Sequence, residues 1–179
     1  RRRLNVPAPE ALPVFYTDRQ VAEIDSFSPS AGKPAKVVSS WRKLGIPLRI
    51  VAPAPATVED FCRAHDRNFV AEILACRRDN GFGNRSAAVA ASLPWTSGSM
   101  LSAAREALAN QLGAIAPCSG FHHAGYAYCG GYCTFNGLMV VTTAVIAEGR
   151  VRGRIGIVDC DHHYGNGTQD IIDHLHLGQ

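Results

Sequence analysis

Apolar positions along this chain fall into short extended runs separated by longer helical ones. Val14–Thr17 (VFYT) and Leu48–Ala52 (LRIVA) are runs of strand length, the second closed by Pro53 and Pro55. Lys36–Leu44 has helical spacing and stops at Gly45, the residue that commonly ends a helix. Thr57 is placed to cap a helix, with Glu59 and Asp60 in its first turn where the dipole favours anions. Behind it, Val58, Phe61 and Cys62, then Phe69, Val70, Ile73 and Leu74, keep helical spacing. Ser97–Ala114 lines Met100, Leu101, Ala104, Leu108 and Leu112 along one face. Phe135–Ala147 is apolar all round and ends at Gly149, and a last helix runs from Thr168 to Leu175. Ser26–Lys36 and the glycine-rich Asp79–Arg85 are loops. Strands alternating with helices predict an α/β fold with a parallel sheet. Ligands of such sheets bind beyond the carboxyl ends of the strands.

The densest chemistry lies in Ile155–Gln169, IGIVDCDHHYGNGTQ. Ile155–Val158 reads as a buried strand, and Asp159, Asp161 and His163 follow at the two-residue spacing that shares a strand face. Three ionisable groups on one side of a strand end are costly to bury unless they pair or bind a cation. A catalytic zinc site takes three ligands from His, Asp or Glu and keeps a position open for water. Asp161 and His163 can hold one ion, with Asp159 set further in to orient another group. The competing reading is an aspartate capping a turn beside surface histidines.

A second pair, His122-His123, sits in SGFHHAG. Adjacent residues of an extended strand point apart, but Gly120 and Gly125 let this loop turn both rings toward one cavity. One imidazole can take a proton from water, and a carboxylate behind the other can fix its tautomer. Asp159 is the candidate for that carboxylate. In Tyr128–Asn136 (YCGGYCTFN), Gly130-Gly131 admits a close ligand and Tyr132 can wall an apolar channel; a flexible loop before the next helix explains the same residues.

Composition narrows the class. The 179 residues are 46% hydrophobic and 18% charged, enough for one globular domain. No apolar run is long enough to span a bilayer, and prolines break any leader-like run behind Arg1–Arg3. The expectation is a cytoplasmic protein without a membrane partner. Net charge is +3, and Arg150, Arg152 and Arg154 read as a solvated edge rather than a nucleic-acid groove. Six cysteines read as reduced thiols; the C-x₃-C of Cys129 and Cys133 lacks a second pair at zinc-finger spacing.

Taken together, SGFHHA, GGYCTFNG and IVDCDHHYGNGTQD resemble the zinc-dependent histone deacetylase family, which includes bacterial acetylpolyamine amidohydrolases. The GNGTQ ending is similar to the class II branch, and Ala64–Val70 (AHDRNFV) fits the family's N-terminal region. The resemblance implies a three-layer, arginase/deacetylase-like open parallel sheet, here truncated, with residues 1–179 forming one partial domain. It implies Asp161 and His163 as zinc ligands, and His122 and His123 as the catalytic pair with His123 nearer the general base. Asp159 then backs His122 and Asn166 backs His123. Gly131 offers its carbonyl to the substrate amide, and Tyr132 stands at the tunnel position. Asp159 and Asp161 also help hold a monovalent cation, potassium.

This sequence departs from the family at His162, Tyr164 and Phe121. The family also draws a third zinc ligand, an aspartate, and a tyrosine from further downstream. Asp170 and Asp173 belong to the last helix and substitute poorly. The expected function is deacetylation of acetyl-lysine, acetylpolyamine or a related small amide. The alternative is a catalytically silent binding or assembly module, because a half sheet exposes an edge and apolar surface and favours association, homo-oligomers included. An arginase-like manganese enzyme is disfavoured, since it wants D-x-H-x-D order.

Overall fold

The computed structural model describes residues 11–178. Strand β1 (Pro13–Phe15) pairs in parallel with β2 (Arg49–Val51), Val14 opposite Ile50. On the other side of β1, Ile115 adds a parallel bridge to Val14, and the Phe15 N–H donates to the Ile115 carbonyl. Val14 is fully buried at the centre of this narrow sheet. Strand β2 falls inside the run that the pattern of the sequence marks, and β1 overlaps its run, starting one residue earlier at Pro13 and ending at Phe15.

Helix α1 (Lys33–Lys43) begins three residues before the expected start, with Pro34 in its first turn, where a missing N–H costs nothing. Gly45 follows it at φ +68°. The run behind Thr57 is two helices rather than one. In α2 (Val58–Cys62) the Thr57 side chain accepts from the Asp60 N–H, and Asp60 reaches back to the Thr57 N–H. Asp66 then caps α3 (Arg67–Leu74) by accepting from the Phe69 N–H, so the chain turns between the two. Helix α4 (Ala87–Asn110) starts ten residues before the sequence pattern marks it. It runs through Pro94, its first turn capped by Ser86. Leu112 lies beyond its end and is exposed, contrary to its expected place on the apolar face. Asn136 caps α5 (Gly137–Ala147), and α6 spans Asn166–His174.

Residues Ile155–Asp159 depart most from expectation. They form no strand and are exposed, Val158 by 89%. A strand is a ladder, and among the described residues no neighbouring strand offers 155–159 its N–H and C=O groups. No helix among the described residues is long and apolar enough to cross a membrane.

The main core gathers Phe61, Phe69, Val70, Ile73, Val89, Leu93, Phe135, Met139, Val140 and Ile171. The Phe135 ring packs tilted at 4.5 Å from Phe61 and edge-on at 5.6 Å from Phe69. His65 sits among these rings, 1% exposed. Burial lowers its pKa from 6.5 to about 4, so it stays neutral in the fold.

The unfolded chain takes up a proton on His65 below pH 6.5, whereas the fold refuses it until about pH 4. Stability therefore falls as pH drops through that window, by about 3 kcal/mol from this group. Denaturant unfolding at pH 6.5 and pH 4 should show that extra loss in the wild type relative to His65→Phe. Equal losses in the two proteins would contradict the assignment.

Candidate active site

The loop 120–125, the tail of segment 155–163 and the start of α6 meet at one place. The anchor is the His122 carbonyl, which accepts from the N–H groups of Gly167 (2.9 Å) and Thr168 (3.1 Å). These are among the first amides of α6, which have no partner inside their own helix. Gly167 is required by this docking. A Cβ there would lie 2.4 Å from the backbone of Ala124 and 2.5 Å from that of His123. No rotamer change relieves a clash with backbone.

Docking in this way sets the imidazoles side by side, ring centres 4.1 Å apart. His122 Nδ1 lies 2.7 Å from Asp159 Oδ2, and His123 Nδ1 lies 2.6 Å from Asn166 Oδ1. Both partners are oxygens that accept, so each ring donates from Nδ1 and presents a bare Nε2 to the cavity when neutral. Asn166 is itself oriented, because its amide donates to the Tyr128 hydroxyl at 3.3 Å. A second imidazole–carboxylate pair faces the first. His163 Nδ1 and Asp161 Oδ1 are 3.0 Å apart, and the His163 ring centre is 5.9 Å from that of His123. Asp161 Oδ1 is also 3.9 Å from His122 Nε2.

Hydrogen bonds hold both carboxylates ionised. The Asp161 N–H donates to Asp159 Oδ1, and this bond, then the one from His122, lowers the Asp159 pKa. The His163 N–H, then its ring, does the same for Asp161. Burial instead pushes the Cys133 thiol up to about 11. The Cys129 thiol donates to the Asp79 carbonyl and the Cys133 thiol to that of Gly131, so each has a separate partner.

Gly131 lies against His123, and Tyr132 follows it on the same turn. Gly131 stands at φ +54°, and a Cβ there would lie 2.5 Å from the His123 ring. Tyr132 holds a left-handed backbone at φ +63°, uncommon for a bulky residue, with its N–H donating to the Gly81 carbonyl. Its ring lies 5.8 Å from that of Phe82. The structure therefore brings together His122, His123, Asp159, Asp161, His163 and Asn166, with Gly131 against His123. Asp159, Asp161 and His163 stand on exposed loop rather than at a buried strand end, His122 is buried, and Asn166 opens α6. His162 and Tyr164 are exposed. Among the described residues, no group of three or more His, Cys, Asp or Glu side chains gathers as a metal cluster.

With this geometry in view, the comparison with known proteins is direct. The family model of the histone deacetylase domain matches residues 30–176. The chain belongs to the histone deacetylase family. It is 50% identical over 51 residues to acetylpolyamine amidohydrolase 2 of Pseudomonas aeruginosa, a stretch covering 28% of this chain and 14% of that protein. It is 45% identical over 51 residues to acetylpolyamine amidohydrolase of Mycoplana ramosa, with the same coverage. In fold it resembles the HDA15 HD domain, with TM-score 0.74 at 20% identity over 90% of this chain and 50% of that one. It also resembles acetylpolyamine aminohydrolase from Burkholderia pseudomallei, with TM-score 0.66 at 19% identity over 90% of this chain and 60% of that one. The chain thus spans about half the length of the solved histone deacetylase-type structures it matches, and its fold is that of the arginase/deacetylase class.

Three contributors were missed in the sequence: the buried His65 and Asn136 and the part-buried Thr168. Asn136 is fully buried and donates from its side chain to the Ala124 carbonyl and to Thr168 Oγ1, both at 3.0 Å. Its place at the start of an apolar helix marks a cap, but its partners 12 and 32 residues away leave no local pattern.

Gly167→Ala should lower the unfolding free energy by about 1–3 kcal/mol, because the loop and α6 are forced apart. Gly156→Ala, which meets nothing within 4 Å, should change it by less than about 0.5 kcal/mol. Equal effects in denaturant titrations would contradict the docking described.

Proposed function

We infer that this chain carries the proton-handling half of a zinc-dependent hydrolase that removes an acyl group, in the simplest case acetyl, from an amine. The observation that carries the reading is the double pairing of His122 with Asp159 and His123 with Asn166, facing Asp161 and His163. The donor chemistry fits zinc. Two donors of one tetrahedral ion at about 2.0 Å stand about 3.3 Å apart, and Asp161 Oδ1 and His163 Nδ1 are already 3.0 Å apart. Both are of the oxygen and nitrogen types that catalytic zinc accepts. For potassium, both Asp159 oxygens are already engaged, one by His122 and one by the Asp161 N–H. That expectation rests on the resemblance alone.

Zinc, when bound, supplies a Lewis acid next to the substrate carbonyl. The chain's own residues do the rest. His123, its Nδ1–H spent on the neutral Asn166 amide, accepts the proton of the attacking water at Nε2. His122, backed by the Asp159 carboxylate, is the better electrostatic partner for a positive imidazolium and stabilises charge beside the carbonyl. Either ring, once protonated, can pass a proton to the leaving amine. On this reading the Gly131 carbonyl, which meets only the weak Cys133 thiol donor, accepts from the substrate amide N–H and Tyr132 walls the approach, two roles that rest on the family resemblance. The named relatives point to an acetylated polyamine as the substrate class, and acetyl-lysine has the same amide on a similar carbon chain.

One observation favours the alternative of a binding or assembly module. Ile155 and Ile157, each 37% exposed, and Val158 line an apolar edge beside the site. Hydrolysis separates the two readings. On the hydrolase reading, the zinc-loaded chain or a longer product of its gene cleaves acetylated polyamine or fluorogenic acetyl-lysine. His123→Ala should reduce the rate by about 10²–10⁴-fold. Undiminished hydrolysis in His123→Ala would contradict the base assignment, and zinc binding with no hydrolysis by any form would establish the module.

A further inference from the structure

We propose that His65 is the positioning residue of the His122–His123 pair: through Gly125 and Asn136 it fixes the backbone that aims both rings, and hence the tautomer they adopt. It rests on reading that pair as the proton carriers. His65 lies at the junction of α2 and α3, 5.2 Å from the Phe135 ring and 5.8 Å from the Phe69 ring. Apolar packing alone would be met by phenylalanine. Instead both ring nitrogens are used. The Asn136 N–H donates to His65 Nε2 at 2.9 Å, so that atom carries the lone pair. Nδ1 must then carry the proton, and it lies 2.9 Å from the Gly125 carbonyl. A single neutral tautomer satisfies both contacts.

These two bonds reach the site from 60 and 71 residues away in sequence. Asn136 extends them. Its side chain donates to the Ala124 carbonyl and to Thr168 Oγ1, and accepts from the Met139 N–H. The carbonyls of Ala124 and Gly125, the two residues after His123, are therefore held by one buried unit. The same unit grips Thr168, two residues beyond the Asn166 that orients His123. A loosened unit leaves buried donors and acceptors unpaired, which is costly, and the structure relaxes by shifting the loop or α6. Either shift breaks the 2.6 Å contact between His123 and Asn166. His65 touches no reacting atom and acts only through these two segments.

Nitrogen-15 spectra of the imidazoles of the whole 179-residue chain, taken at about pH 8.5 where histidine is neutral, read this directly and need no turnover. Failure of the hydrolase reading and failure of this proposal are thus separable. Wild type should show Nδ1–H with bare Nε2 at His122 and His123. His65→Phe, which keeps an aromatic ring in the core, should lose that single-tautomer signature at His123. His65→Asn, which returns an amide N–H near the Nδ1 position, should restore at least half of it. Thr168→Val lies at the part-buried far end of the network, tests it without disturbing the aromatic core, and should weaken the signature too. Circular dichroism and melting report folding for each. Folded variants with an unchanged His123 signature would overturn the proposal and leave His65 a core-packing residue. Should both His65 variants fail to fold, an unchanged signature in Thr168→Val does the same.

Discussion

The site depends on one backbone contact, the His122 carbonyl received by the first free amides of α6. Everything chemical is hung from it. The contact fixes α6 against the histidine loop, which sets Asn166 behind His123. Segment 159–163 leads directly into α6, so its position follows. The carboxylate of Asp159 thereby reaches His122, and Asp161 and His163 face the pair. Gly167 makes the approach possible because any side chain there collides with main chain. The helix dipole adds a smaller favourable term, since a carbonyl oxygen at a helix N-terminus meets its positive end.

Two kinds of support surround that contact. Beneath it lies the aromatic core of Phe61, Phe69 and Phe135, with His65 and Asn136 as polar bolts through it. Above it, residues 155–163 are exposed and, apart from the Asp159–His122 contact, held by local bonds, from Asp161 to Asp159 and from His163 to Asp161. The loop that carries the histidine pair is thus backed by the core, while Asp161 and His163 are braced chiefly by their own segment. A metal shared by Asp161 and His163 would stiffen the weaker half, which is how binding energy becomes order in such sites.

Much of this was legible in the sequence because the signals are local. Thr57 followed by Asp60 is a cap, Gly45 ends a helix, and the two strands coincide with apolar runs. The pairing of Asp159 with His122 and Asn166 with His123 followed from the resemblance and is matched by contacts of 2.7 and 2.6 Å. What failed was non-local. Ile155–Val158 has strand composition, but strand formation needs a neighbour, and the described chain supplies none. Pro94 hid the first half of α4, since a proline inside a helical pattern reads as a break, yet the rest of this helix tolerates it. Asp66 divided one periodic run into α2 and α3 because its side chain satisfies the new N-terminus. His65 and Asn136 carry no pattern at all, as their partners are brought in by the fold.

The central claim is that Asp161 and His163 grip one zinc ion in front of the paired imidazoles. Zinc K-edge absorption on the loaded chain tests it most directly. The account predicts one zinc per chain with a shell of nitrogen and oxygen at about 2.0 Å, lost when Asp161 and His163 are both changed to alanine and kept when Cys129 and Cys133 are changed to serine. A sulfur shell at about 2.3 Å, or full zinc content in the doubly changed protein, would contradict it.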